Sequence, residues 1–156
     1  MMKIISGAQT GVDRAALDAA LECGIQAGGW CPQGRLAEDG TIPENYPVRE
    51  LANAGYKERT LKNVIDSDGT MIVYFDSLSG GTEQTLSDCL AHKKPYLLID
   101  GVEVIIQQAA NKILSFVEKN RITVLNVAGP RASGEARAYD YTKQVLLQVL
   151  KIEFFP

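Results

Sequence analysis

Thr70–Phe75 reads TMIVYF, six residues without the polar–apolar alternation of a half-solvated strand. A strand of this kind is buried on both faces, which points to a parallel sheet covered by helices on either side. The neighbouring segments agree. Lys3–Ser6, Gly28–Pro32, Tyr96–Ile99 and Ile122–Val127 read as further short strands. Between and after them, Val12–Cys23, Leu61–Ile65, Thr82–Ala91, Val104–Lys119 and Ala138–Lys151 carry apolar residues at helical spacing. Alternation of this sort predicts an α/β fold, a doubly wound, mainly parallel five-stranded sheet flanked by helices in a three-layer sandwich. If the first strand lies beside TMIVYF, as in the order 2-1-3-4-5, their following turns meet at one switch point.

The length of 156 residues fits one domain over residues 1–156, with no repeat, low-complexity stretch or linker. A formal net charge of −3 argues against broad, charge-driven binding of nucleic acid. No span approaches transmembrane length, and the apolar start is too short for a signal peptide, so no membrane role and a cytoplasmic location are expected. Three cysteines, Cys23, Cys31 and Cys89, lack a CxxC spacing and suit reduced thiols. A single histidine, His92, excludes a site built from several histidines, and its place near a helix end beside Lys93 and Lys94 suits the helix dipole.

Chemistry concentrates where strands end. The turn Ser6-Gly7-Ala8-Gln9-Thr10-Gly11 runs straight into a helix, as does Ser79-Gly80-Gly81-Thr82. Such turns let backbone N–H groups approach an anion, and the helix N-terminus adds partial positive charge. Gly7, Gln9, Thr10 and Gly11 are therefore candidate ligand contacts, with Arg14 as a forked partner for a phosphate. Ser79, Gly80, Gly81 and Thr82 form a second candidate anion turn. Gly129 and Arg131 follow the last strand and face the same crevice in this reading. Trp30 could stack on a planar ring or pack as core, and Arg35 could reach an anion. The acids Glu38, Asp39 and Glu44, in the polar stretch Gln33–Pro47, are expected to be solvated. Neither the GxGxxG nor the GxxxxGK[ST] pattern is present, and no Ser-His-Asp or Cys-His set assembles. No catalytic residue and no metal ligand is assigned, so the residues favour binding over catalysis.

Taken together, GAQTGVDRAALDAA, GGWCPQGRLAEDGTIPENYP, RTLKNVIDSDGTMIVYF, SGGTEQT and LNVAGPR resemble the molybdenum cofactor carrier family over nearly the full chain. More remotely, the chain is similar to the phosphoribohydrolases once labelled lysine decarboxylases. The resemblance implies a Rossmann-like sheet, a homo-oligomer (dimer or tetramer), and an anionic pterin or nucleotide in the crevice. On this basis the expected cofactor is molybdenum cofactor, with a molybdoenzyme as recipient and a nucleotide as the alternative ligand. In the phosphoribohydrolase motif PGGxGTxxE the last glutamate helps hydrolysis; here Thr85 stands in its place, and Ala132 replaces the acid that the family carries after the arginine at 131. Three readings remain open: a carrier that holds the cofactor by its phosphate, a nucleotide N-glycosidase using Asp13, Glu83 or Asp76, and a nucleotide-sensing module. The terminal Phe154 and Phe155 suit either a partner surface or the protein's own sheet edge.

Overall fold

The computed structural model describes residues 2–154. Its centre is a five-stranded sheet of β1 (Lys3–Ile5), β2 (Gln26–Gly28), β7 (Gly69–Tyr74), β8 (Tyr96–Asp100) and β9 (Val124–Ala128). Every pairing in it is parallel. Three helices, α1 (Val12–Glu22), α4 (Ile106–Lys119) and α5 (Ala138–Phe154), pack together on one face; α2 (Tyr56–Asp66) and α3 (Gly80–Ala91) cover the other. The α/β three-layer architecture is thus the one read from the sequence. Among the described residues, no helix is long and apolar enough to cross a membrane.

The burial of TMIVYF explains both layers. Met71 and Val73 point into the larger core with Ile4, Leu125, Ile113 and Leu146, while Ile72 points the other way, onto Val64 and Cys89. Alternate residues of one strand therefore serve two cores, and β7 is buried on both faces from Gly69 to Val73. His92 caps the C-terminal end of α3. The three cysteines are free.

The spatial order is β2-β1-β9-β7-β8, which corrects the expected order. The last strand, β9, lies between β1 and β7 and pairs with both. Three turns, after β1, β9 and β7, consequently lie side by side at the C-terminal edge of the sheet.

Gly28–Pro32 is not one strand. Its first part belongs to β2, and its second is β3 (Trp30–Pro32), which leaves the sheet to pair with β6 (Arg49–Leu51). Gly29 makes the break: it sits at φ +123, and a Cβ there would run into the backbone of Ser6. The polar stretch that follows is folded as well. It contains the ribbon of β4 (Leu36–Ala37) and β5 (Gly40–Thr41), and it buries Ile42, Tyr46 and Val48 against Leu17 and Cys31. The side chain of Phe154 and all of Phe155 lie outside the described residues.

Candidate functional site

A cavity of about 330 Å³ opens at the edge where the three turns meet. Its floor and walls include Gln9 and Asp13 after β1, Gly129 to Arg131 after β9, and Ser79 to Thr82 after β7. Helix α2 closes the remaining side with Tyr56, Arg59 and Thr60.

The α3 end of the cavity is open. Ser79 is extended (φ −156, ψ 164), and its side chain makes no capping hydrogen bond to the first turn. A Cβ on Gly81 would meet no atom within 4 Å. The first turn of a twelve-residue helix thus presents its N–H groups and dipole to the cavity. Thr85, one turn further on, is buried and donates its hydroxyl to the Gly81 carbonyl at 2.9 Å.

Two arginines face that helix end. The guanidinium carbons of Arg59 and Arg131 lie 5.6 and 5.5 Å from the centroid of the Tyr56 ring, which brings two cations to one aromatic side chain. Arg131 is exposed, whereas the Arg59 side chain is only 12% exposed. Arg59 lies across Gly7, in the space that a larger residue at position 7 would need. Its Nη1 approaches Asp13 Oδ2 at 3.6 Å, and its buried Nε has no hydrogen-bond acceptor among the described residues.

Asp13 is 5% exposed and receives the N–H of Gln9 at 3.4 Å. Burial pushes its carboxyl up to about 6, against the opposing pull of Arg59 and the backbone N–H groups of Gln9 and Gly7. Gln9 is also 5% exposed. Its Oε1 accepts the N–H groups of Thr10 at 3.0 Å and Glu38 at 2.9 Å, while its buried Nε2 donates to nothing in the protein. A buried amide donor without an acceptor costs free energy unless a ligand or water supplies one.

The structure gathers Gln9, Ser79, Gly80, Gly81, Thr82, Gly129 and Arg131 around this cavity. Gly7 borders a small polar recess behind it with Asp13, Asn63, Thr85 and Asn126. Five other sequence candidates do not line the cavity. Thr10 donates its hydroxyl to Glu38 and accepts the N–H of Ala132 at 3.1 Å. Gly11 is packed against the backbone of Pro130 to Ala132. Arg14 donates to the Ala8 carbonyl at 3.1 and 3.3 Å and to Asp39, and stacks over Tyr46. Arg35 donates to the carbonyls of Ile42, Pro43, Tyr46 and Val48, holding the 33–48 segment together. Trp30 donates its indole N–H to Asp66 at 2.7 Å and borders a different cavity.

Two of the acids expected to be solvated are tied down. Glu38 takes hydrogen bonds from Ser133 and Thr10, which hold its carboxyl below the usual range, and Asp39 is held low by Arg14. Glu44 is exposed. Of the three acids weighed for catalysis, Asp13 alone lines the cavity, while Glu83 and Asp76 are exposed and do not. Arg59 and Tyr56 escaped sequence reading. Their spacing with Asn63, at i, i+3 and i+7, places them on one helix face and is the signal that could have found them.

Residues 4–150 match the family described as circularly permutated YpsA SLOG. The chain belongs to this SLOG family. Permutation moves the ends of a chain within a fixed spatial frame, which accords with a C-terminal strand, β9, at the centre of the sheet. Among solved structures the SLOG chain is similar to one from Syntrophus aciditrophicus SB named "Putative molybdenum carrier protein". The two share 47% identity over 96% of this chain and 94% of that one, with a TM-score of 0.92. The resemblance to molybdenum cofactor carriers thus holds at the level of family. No protein of curated function matches the chain.

Proposed function

We propose that this protein is a carrier that holds molybdenum cofactor, or its pterin precursor, by the phosphate in the cavity between α3, β9 and α2. The observation that carries the reading is the convergence on one cavity of an uncapped helix N-terminus, two arginines and an unpartnered buried amide. Each of these groups is a donor or a positive charge, and a phosphate satisfies all of them together. The residues present fit the phosphate end of such a ligand: the first turn of α3, Arg131, Arg59 and Gln9 Nε2 supply donors. Tyr56, in place of Trp30, offers the aromatic surface. The name of the Syntrophus protein supports the choice of a molybdenum-bearing ligand. Self-association and delivery to a recipient molybdoenzyme belong to this proposal.

The test is mass spectrometry of small molecules released from anaerobically purified protein, with molybdenum quantified on the same sample. A stoichiometric pterin with molybdenum is expected, reduced about tenfold or more in Arg131→Gln, the cost of one charge-assisted hydrogen bond. Protein that carries a nucleotide instead supports the sensing reading, and protein that binds neither class under reconstitution rejects both.

Asp13 favours one further reading. A carboxyl at about 6 in a ligand cavity is poised to hold or release a proton near neutrality, as acid–base hydrolysis of a nucleoside monophosphate requires. Thr85 cannot take the part of the missing glutamate, because its hydroxyl is bonded to its own helix. Release of ribose 5-phosphate that disappears in Asp13→Asn identifies the enzyme. An absence of turnover with every common nucleoside monophosphate excludes it.

A further inference from the structure

Trp30 is the only tryptophan of the chain, and it lies away from the cavity described above. It borders a second cavity of about 500 Å³ on the α2 face of the sheet, beside β1 and β2. The two cavities share no lining residue. They sit toward opposite ends of α2, with Arg59 at one and Asp66 at the other, and Asn63 between them. Asn63 fixes the peptide of Trp30 from both sides: its Oδ1 accepts the Trp30 N–H at 2.8 Å and its Nδ2 donates to the Trp30 carbonyl at 2.9 Å.

One cation lies over this indole, two more line its cavity, and one acid accompanies them. Lys62 Nζ lies 5.5 Å from the ring centroid and 3.1 Å from Asp66 Oδ1, and the indole N–H occupies Asp66 Oδ2. The one carboxylate of the cavity is therefore already shared. Lys3 and Arg49 line the cavity as well, and among the described residues neither has a carboxylate within 4.0 Å. Lys3 crosses Gly28, whose missing side chain leaves room for it: a Cβ there would stand 3.1 Å from Lys3 Cε and 3.3 Å from Nζ. The chain as a whole is acidic, with net charge −3, yet this concave surface carries an excess of positive charge.

We infer that the cavity bordered by Trp30, Lys3 and Arg49 is a second binding site, for a small planar aromatic anion such as an aryl carboxylate or aryl phosphate. The indole supplies the stacking surface for the ring, and Lys3 and Arg49 bind the anionic substituent. The volume lies within the range of small-molecule pockets. Carboxylate and phosphate share the chemistry that these two cations recognise, and the probes below tell them apart.

Because Trp30 is unique, its fluorescence reports this cavity directly. The full chain is titrated with nicotinate, phenyl phosphate and inorganic phosphate, exciting at the red edge of the indole band. A saturable emission change with nicotinate or phenyl phosphate is expected, and whichever of the two binds tighter names the substituent. Lys3→Gln and Arg49→Gln should each weaken it about tenfold, as expected for loss of a charge-assisted contact. Circular dichroism confirms that both variants remain folded. Arg131→Gln, at the other cavity, should leave the titration unchanged. The inference is overturned by the absence of any saturable change, by a change that survives both cation variants, or by one that vanishes in Arg131→Gln. Inorganic phosphate binding as tightly as phenyl phosphate overturns the role of the ring.

Discussion

The turns after β1 and β7 look alike in sequence, each a small-residue run from strand to helix, yet the protein uses them in opposite ways. At the β1 turn every approach that glycine permits is taken by the protein itself. Arg59 covers Gly7, the Pro130–Ala132 backbone presses on Gly11, and Thr10 is bonded to Glu38 and Ala132. At the β7 turn nothing occupies the space. Gly81 faces open volume and Ser79 leaves its helix uncapped. A glycine-rich turn therefore reports that something comes close to the backbone. Whether the visitor is another part of the chain or a ligand depends on contacts that are remote in sequence.

Replacing glycine by valine in each turn separates the two uses, and this contrast carries the largest expected effect. Gly11 sits at φ +80, and a Cβ there would meet Ala132 N at 2.9 Å. Strain and overpacking together cost about 3–5 kcal/mol. For a chain of this size that is a fall in melting temperature of roughly 10–15 °C, or failure to fold. Gly81→Val, in contrast, places its methyl groups in the open volume where the proposed ligand would sit. Its stability should stay within about 1 kcal/mol of the parent, while ligand retention falls below detection in the mass-spectrometric assay. A Gly81→Val protein that keeps its ligand removes the basis for treating the turns differently.

The same contrast explains what the sequence made legible. TMIVYF identified the buried central strand because a continuous apolar run is a local signal, and α1 followed from its three- and four-residue spacings. The place of β9 between β1 and β7 was not legible, since pairing partners are chosen by the whole topology and β9 lies over fifty residues from β7. The break at Gly29 was missed for a related reason: the crowding comes from Ser6, on another strand. Among the residues that line the cavity, Ser79 to Thr82 and Arg131 were legible because they follow strand ends directly. Arg14 and Arg35 looked equally suited to an anion, but nearby carbonyls took their donors. Arg59 entered the cavity from a helix whose role could not be inferred locally.

Asp13 offers a second, intermediate test, since it lies where the filled turn borders the open cavity. Its carboxyl ionises at about 6 in the folded protein against an ordinary 3.8. The folded state thus binds the proton more tightly than the unfolded chain. The contribution of Asp13 to stability is greatest below pH 3.8 and declines as pH rises through 6. Two units correspond to a change of about 3 kcal/mol across that window. Glu38, Asp39 and Asp68, all held low, act in the opposite direction, and Asp13→Asn leaves them in place. Urea unfolding of both proteins between pH 4 and 7 should show the parent losing stability relative to Asp13→Asn as pH rises. A constant difference across that range means that Asp13 is not destabilised by its burial.

The smallest expected effect belongs to Arg14, and it marks the boundary of the filled turn. Its side chain is 12% exposed and directs Nε and Nη2 to the Ala8 carbonyl, so it closes the turn from outside. The accompanying ion pair is worth little, because Asp39 is 48% exposed and water screens it. Arg14→Gln therefore loses mainly the two bonds to the carbonyl, about 1 kcal/mol by denaturant unfolding. Retention of the ligand should change by less than about twofold, since no atom of Arg14 lines the cavity. The opposite pattern, intact stability with a tenfold loss of ligand, makes Arg14 a ligand contact. The turn after β1 would then join the one after β7 as an open anion site, and Arg59, lying over Gly7, would have to move aside for the ligand to enter.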